Sequence, residues 1–331
     1  MSYPDLMDLN RHQDNGITRR PHVVILGAGA SKAALPNGDR NNCVMPLMND
    51  FVKVLHLNDI IDSSANFEEI YSDLYDNEDK RLEEIKNRIY SYFDSLRLPD
   101  EPTIYDYLIL SLRKKDIIAT FNWDPFLIQA YQRNSTVTKD LPAMLFLHGN
   151  VWEGGCPKCE TRGYKKNSCK KCGSIFINSP LLYPIRHKDY NKSYNIKNAW
   201  ESLKVDLHNA AFVTIFGYNA PDSDVEAKDL MHQAWGEKEE RYMEEIEIID
   251  IQPEEDICKK WDSFIFSHHY DYTNSYYGSQ LFRFPRRSIE GYYAEKWKAE
   301  WLKRADNPQF KDMRSLHDWF RKIVATDKAL S

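Results

Sequence analysis

The chain reads as an α/β protein: a Rossmann-like parallel sheet with helices on both faces, a helical insertion and a small four-Cys zinc-ribbon lobe. Three observations predict this. Short apolar, β-branched runs recur at residues 22–26, 116–121, 144–147, 211–216 and 246–251. Helical patterns lie between several of them, such as 197–209 and 226–243, and apolar strands alternating with helices indicate a parallel sheet covered on both sides. Two Cys-x-x-Cys pairs, Cys156 with Cys159 and Cys169 with Cys172, stand nine residues apart. Each pair sets two thiolates on a tight turn, and the two pairs together close four-coordination around one Zn²⁺. A closed four-thiolate site folds the chain and does no chemistry.

Length and composition bound the rest. The 331 residues suffice for one large or two small domains with a substantial core. The chain is 42% hydrophobic and 28% charged, the balance of a soluble globular protein. No apolar run approaches the ~18 residues of a spanning helix, so no membrane role is expected. Residues 1–20 are polar and lack an apolar signal core, which predicts a flexible arm and argues against secretion. The net charge of −6 argues against general nucleic-acid binding and leaves local basic patches open. Four of the six cysteines sit in the two pairs, while Cys43 and Cys258 are remote from them and from each other. That usage suits a metal site in a reducing cytoplasm better than a disulfide framework.

Element by element, residues 22–26 form a buried strand that ends in Gly27-Ala28-Gly29-Ala30-Ser31, and 32–35 begin a helix. Residues 46–115 are rich in helix formers. Phe67, Ile70, Tyr71, Leu74 and Tyr75, then Leu82, Ile85, Ile89 and Phe93, recur at helical spacing. These stripes predict a packed helical insertion. A Rossmann-like domain then comprises 21–149 and 179–255, interrupted by a zinc-ribbon module at 150–178. Residues 256–331 form an aromatic-rich and helical C-terminal segment, within which 268–293 is either packed irregular chain or a docking surface. The acid-rich stretch 237–247 is expected to be a solvated helix face. The lysines near the knuckles, Lys158, Lys165, Lys166, Lys170 and Lys171, are expected to offset the charge of the thiolates.

In doubly wound sheets, ligands bind at the carboxyl ends of the strands. Here those ends carry Gly27, Asn122, His148, Gly217 and Asp250. The Gly27–Ser31 stretch suits either a tight turn or a phosphate cradle, since it lacks the third glycine of the common dinucleotide fingerprint. Thr120-Phe121-Asn122-Trp123-Asp124 is either an Asx turn or a group that orients a ribose or a water. His148 is either a hydrogen-bonded structural histidine or a general base. Asp250 has the place and chemistry to accept hydrogen bonds from ribose hydroxyls. The other histidines, among them His187, His208, His268, His269 and His317, are expected to be structural.

The order of these motifs (Gly-Ala-Gly-Ala-Ser, Thr-Phe-Asn-Trp-Asp, His-Gly, the paired Cys-x-x-Cys, Phe-Gly-Tyr-Asn-Ala-Pro-Asp-Ser-Asp, then Ile-Ile-Asp-Ile) resembles the sirtuin family across about residues 22–251. The resemblance implies NAD⁺ as the bound nucleotide and one structural Zn²⁺. It implies that Gly27, Ala28, Gly29, Ala30 and Ser31 hold the pyrophosphate side. Thr120, Asn122 and Asp124 match the family's Thr-Gln-Asn-Ile-Asp and would address the nicotinamide ribose. The catalytic set would be His148, Asn122 and Asp124, with His148 as the base; Gly217, Tyr218 and Asn219 would meet NAD⁺, and Asp250 would meet the adenosine ribose. There are departures. Phe121 replaces the family's Gln, Lys32-Ala-Ala-Leu-Pro36 replaces Pro-Asp-Phe-Arg, and the Phe-Gly-Glu that follows the lobe in deacylating members reads Phe176-Ile-Asn. The protein-substrate groove therefore looks replaced while the NAD chemistry is kept. This pattern is similar to bacterial sirtuin-like domains that hydrolyse NAD⁺ in anti-phage defence, often as oligomers held idle until a regulatory protein or phage trigger arrives. The resemblance implies an NAD⁺ glycohydrolase, with NAD-dependent lysine deacylation as the alternative and a catalytically idle nucleotide sensor as the third.

Overall fold

The computed structural model describes residues 16–61, 66–185, 189–190, 193–219, 224–299 and 307–330. Most of the N-terminal arm (1–15), His187 and Pro221-Asp222-Ser223 of the second glycine turn lie outside them. Six parallel strands form the main sheet: β1 (His22–Leu26), β2 (Ile117–Thr120), β3 (Ala143–Phe146), then β7 (Phe212–Phe216), β8 (Glu245–Ile249) and β9 (Tyr270–Thr273). Their spatial order is β3-β2-β1-β7-β8-β9. The chain thus builds outward from β1 in one direction, returns, and builds outward in the other from β7. This is the doubly wound order 3-2-1-4-5-6, whose ligand crevice opens where the winding reverses, between β1 and β7.

Alternation along the strands sorts the core into two layers, because successive side chains point to opposite faces. Val24, Leu26, Ile118, Phe146, Phe216 and Ile249 face one cluster. It is covered by the insertion, α2 (Phe51–Val54), α3 (Phe67–Asp76), α4 (Arg81–Ser95) and α5 (Ile104–Ser111), and by the C-terminal helix Met313–Leu330. Asn66 caps α3 by accepting from the Glu68 amide, and Thr103 with Asp106 forms a capping box on α5. The stripe residues Phe67, Tyr71, Leu74, Leu82, Ile85, Ile89 and Phe93 are buried, and Tyr75 is exposed. Val23, Ile25, Ala119, Leu145, Val213, Ile215 and Ile248 face the second cluster. There Trp200, Leu203, Met231, Trp235 and Trp261 close the other side.

Four sequence expectations change. The helix expected to begin at 32–35 begins earlier, as α1 (Ala28–Ala34) capped by Gly27, so Ala28–Ser31 form its first turn. The helix predicted over 226–243 runs only Val225–Trp235 and stops at Gly236. The acid-rich stretch 237–247 is not one solvated face: Glu245 and Glu247 lie inside β8 and are buried, as is Glu244. The aromatic segment is not irregular throughout, since its residues Tyr270–Thr273 add the sixth strand beside β8. No helix among the described residues is long and apolar enough to cross a membrane.

Residues 150–178 carry a separate three-stranded antiparallel sheet, β4 (Glu153–Gly155), β5 (Arg162–Tyr164) and β6 (Ile177–Asn178), ordered β5-β4-β6.

Candidate functional site

Because the sheet is parallel, the carboxyl ends of its strands lie along one edge. Read across it, that edge carries His148, Asn122, Gly27, Gly217 and Asp250 in turn. The two glycine turns meet at the switch point. The Gly27 amide donates to the Phe216 carbonyl at 3.0 Å, and the Gly29 amide to the Gly217 carbonyl at 3.0 Å. A Cβ on Gly27 would stand 2.4 Å from the Gly217 oxygen and 2.5 Å from the Tyr218 Cα, and Gly217 itself has φ +60°. These glycines are thus required by backbone contact between β1 and β7. Ala28 is exposed, and Ala30 is buried in the first helical turn.

Beside this contact lies a buried hydrogen-bond network. The Asn122 amide nitrogen donates to the Gly27 carbonyl at 2.8 Å and to Ser31 Oγ at 2.9 Å. Ser31 Oγ donates to Asp124 Oδ2 at 2.7 Å and lies 2.7 Å from the Tyr105 hydroxyl. The Asn122 backbone amide is held by Thr120 Oγ1 at 3.0 Å, and Asp124 Oδ1 accepts from the Phe126 amide at 3.2 Å. Burial raises the Asp124 carboxyl to about 6, a shift that the hydrogen bonds from Ser31 and the backbone oppose. With its amide nitrogen committed to the turn, Asn122 presents its carbonyl oxygen as the atom able to accept from a hydroxyl or a water. Tyr105 escaped sequence reasoning because it sits in α5, apolar on every face but for its caps; only the fold brings its hydroxyl to Ser31.

His148 follows β3 and is buried. Its ring stands edge-on to Phe121, with centroids 4.9 Å apart, and tilted beside Tyr190 at 6.2 Å. Its carbonyl accepts from the Leu182 amide at 2.9 Å. Gly149 turns the chain into the lobe with φ +78°, where a Cβ would stand 2.5 Å from the Pro180 carbonyl. Phe121 in turn stacks on Tyr218, 4.1 Å between centroids and 8° between planes. The histidine side of the edge is therefore linked to the glycine contact through an aromatic pair, while the Asn122 network runs along the cluster that contains Tyr105.

Asn219 and Asp250 lie farther along. Asn219 Oδ1 accepts from Gln252 Nε2 at 3.1 Å and from Lys260. The Asp250 carboxylate accepts from the Gln252 amide at 2.9 Å, and its backbone carbonyl accepts from the Tyr272 hydroxyl at 3.0 Å. Among the histidines taken as structural, His317 bonds to the Asn134 side chain at 2.9 Å, and His268 and His269 stand in the turn before β9.

In the lobe, the ligand atoms of Cys156, Cys159, Cys169 and Cys172 all lie within 4.8 Å of one another. A tetrahedral Zn²⁺ at ~2.3 Å from each sulfur holds sulfurs about 3.8 Å apart, so the donor set fits that ion. The turns are knuckles: the Cys159 amide points at Cys156 Sγ (3.3 Å) and the Lys171 amide at Cys169 Sγ (3.4 Å). None of the six cysteines is in a disulfide. Lys165 pairs with Asp94 of α4, so it fastens the lobe to the insertion in addition to any effect on the thiolates. The Val151 amide donates to the Trp123 carbonyl at 3.0 Å, which ties the start of the lobe to the end of β2.

No protein-family model matches the chain, and no curated protein matches it. Solved structures similar to it include one described as the structural basis for the mechanism and regulation of Sir2 enzymes, at 12% identity and TM-score 0.45, covering 88% of this chain and 100% of that one. Another concerns the structural basis of sirtuin substrate affinity, at 16% identity and TM-score 0.41, covering 88% of this chain and 99% of that one. The fold and the site stand on the strand order and contacts described above.

Proposed function

We propose that the carboxyl edge of the sheet binds NAD⁺ and hydrolyses its nicotinamide–ribose bond, giving nicotinamide and ADP-ribose. The observation that carries this reading is the helix start Gly27–Ser31, where the Gly27 cap and the Ser31 side chain are hydrogen-bonded to Asn122 and Asp124 beside the switch point of a 3-2-1-4-5-6 sheet. The motif order noted in the sequence supports NAD⁺ over other dinucleotides.

The chemistry asks little of the protein beyond placement and electrostatics. Nicotinamide leaves with the bonding pair and becomes neutral, so the departure needs no acid. Ribose C1′ becomes oxocarbenium-like. Asn122 orients the ribose or the water through its carbonyl oxygen. His148 takes the proton of the water as its oxygen bonds to C1′. Asp124, held by Ser31, fixes the strand end from behind. Zn²⁺ would hold the lobe through its four thiolates and leave no open coordination position. We further propose that the activity serves anti-phage defence by NAD⁺ depletion, with a homo-oligomer as the working form and a regulatory protein or phage component as the trigger. That part rests on the motif resemblance and on analogy alone.

Deacylation shares the bond-breaking step and replaces water with an acyl oxygen. Its support is the motif resemblance, with the exposed Ile177 (59%) of β6 as the apolar surface of the lobe; the stretch just before it already pairs with 167–169. Incubating the purified protein with NAD⁺, with and without an acetyl-lysine peptide, separates the two. Hydrolysis predicts ADP-ribose and nicotinamide in both. Deacylation predicts O-acetyl-ADP-ribose only with peptide. Intact NAD⁺ in both would contradict the shared premise.

A further inference from the structure

We infer that Phe121 is the stacking platform for the planar ring of the substrate, and that Tyr218 occupies this platform until the substrate displaces it. The inference rests on the NAD⁺ reading and adds to it a specificity-determining residue and an internal plug.

Tyr218 leaves the end of β7 and Phe121 the end of β2, and β1 lies between those strands. Both rings are buried in the second core cluster with Val23 and Ile25, and they stack 4.1 Å apart and nearly parallel beside the end of β1 on that face. The strand ends that carry them border the β1/β7 crevice, where doubly wound sheets take their ligands. Gly27 makes the placement possible, since any Cβ there would collide with Tyr218 Cα and Cβ, at 2.5 and 2.8 Å. His148 stands edge-on to the same Phe121 ring. The platform is thus bordered by the proposed base on one side and by the Gly27–Asn122 network on the other.

The Tyr218 ring is buried between Phe121 and Trp261, so displacing it means leaving both rings, and its polar end is lightly held. Its hydroxyl donates to Asp224 Oδ2 at 3.3 Å, a long bond, and the residue follows Gly217, whose φ of +60° marks a backbone position that a side chain would resist. A flat ring that arrives with positive charge gains more from the face of Phe121 than a neutral phenol does, because the face of an aromatic ring attracts cations. Nicotinamide in NAD⁺ is such a ring. ADP-ribose has none at that end, which gives the inference its test.

Equilibrium binding of NAD⁺ and of ADP-ribose would be measured on full-length protein in a His148→Ala background, so that NAD⁺ persists. Tyr218→Ala should bind NAD⁺ at least about tenfold more tightly. Tyr218→Phe, which keeps the ring volume and loses only the Asp224 bond, should gain about two- to fivefold and guards against a folding defect in the alanine variant. Phe121→Leu should weaken NAD⁺ about tenfold. ADP-ribose affinity should stay within about twofold throughout. Unchanged or weaker NAD⁺ binding in both Tyr218 variants would overturn the plug while leaving the NAD⁺ reading standing. A parallel change in both ligands would show that the pair merely supports the fold. Failure of every variant to bind either ligand would overturn the plug and the NAD⁺ reading together.

Discussion

Two buried polar networks lie on the same face of the sheet, at opposite ends of it, and only one stands at the carboxyl edge of the strands. The first is the Ser31–Asn122–Asp124–Tyr105 group at the carboxyl edge. The second crosses the sheet nearer the amino ends. Ser288 Oγ meets His22 Nδ1 at 2.7 Å, His22 Nε2 meets Thr214 Oγ1 at 2.8 Å, Thr214 bonds to Glu247 Oε2 at 3.0 Å, and Glu247 Oε1 accepts from the Gln280 amide at 2.6 Å. Each network contains a carboxyl raised by burial, Asp124 to about 6 and Glu247 to about 7, and the second also contains a histidine lowered to about 3 by burial. A shifted pKa therefore does not tell the two apart. Position does. The first sits where the strands end and the two glycine turns meet, and the second is sealed under the segment that carries Gln280 and Ser288. Strained titration marks burial, and burial becomes a site only at an edge that a substrate can approach.

The sharpest way to break this contrast is to mutate both networks and compare turnover of NAD⁺. His148→Ala and Asn122→Ala should each lower it on the order of 10²–10⁴-fold with the fold intact by circular dichroism. Thr214→Val should leave turnover within about twofold and cost about 1–3 kcal/mol of stability in denaturant titration, since it strands the partners of a buried hydroxyl. Loss of turnover in Thr214→Val, or its survival in both edge variants, would erase the distinction.

Metal removal probes the edge without touching either network. Chelation is expected to release four reactive thiols and unfold the lobe, which loosens Gly149 and with it His148. Turnover should fall at least about tenfold while the main thermal transition persists. Thiol titration beside calorimetry would show both effects.

The pH dependence of stability separates the networks further. The folded pKa of Glu247 lies above its ordinary 4.5, so its contribution is full below about pH 4.5 and is lost as pH rises through about 7. Burial is the leading cause. The Gln280 amide and Thr214 oppose it, as does the more distant Arg283, while Asp271 adds to it. Glu247→Gln should flatten that slope by about 1–3 kcal/mol. Asp124 follows the same sign in a lower window, from 3.8 to about 6. Asp124→Asn should flatten that window by a slightly smaller amount, about 1–3 kcal/mol, because its shift is slightly smaller. Denaturant midpoints across pH 4–8 would reveal either slope.

Much of the frame was legible in the sequence. Five strands announced themselves as apolar runs because a parallel sheet buries both faces of its strands, and the cysteine spacing located the lobe. The sixth strand did not. Tyr270-Asp-Tyr-Thr273 is half-buried along its length at the sheet edge and shows neither an apolar run nor clean alternation. Glu245 and Glu247 looked solvated because charge usually means exposure. What accommodates Glu247 is Thr214 on the neighbouring strand and an amide some thirty residues on, neither visible locally. The same holds for Tyr105 and for the Phe121–Tyr218 stack: the strand ends were readable one by one, and the side chains that join them were set by strand order.

The central claim is that this edge holds the nucleotide. A crystal structure of the His148→Ala protein soaked with NAD⁺ tests it most directly. The account predicts the pyrophosphate against the Gly27–Ser31 turn, the nicotinamide ring on Phe121 and Tyr218 moved aside. A soaked crystal with Tyr218 still stacked and no nucleotide at the β1/β7 crevice would contradict it.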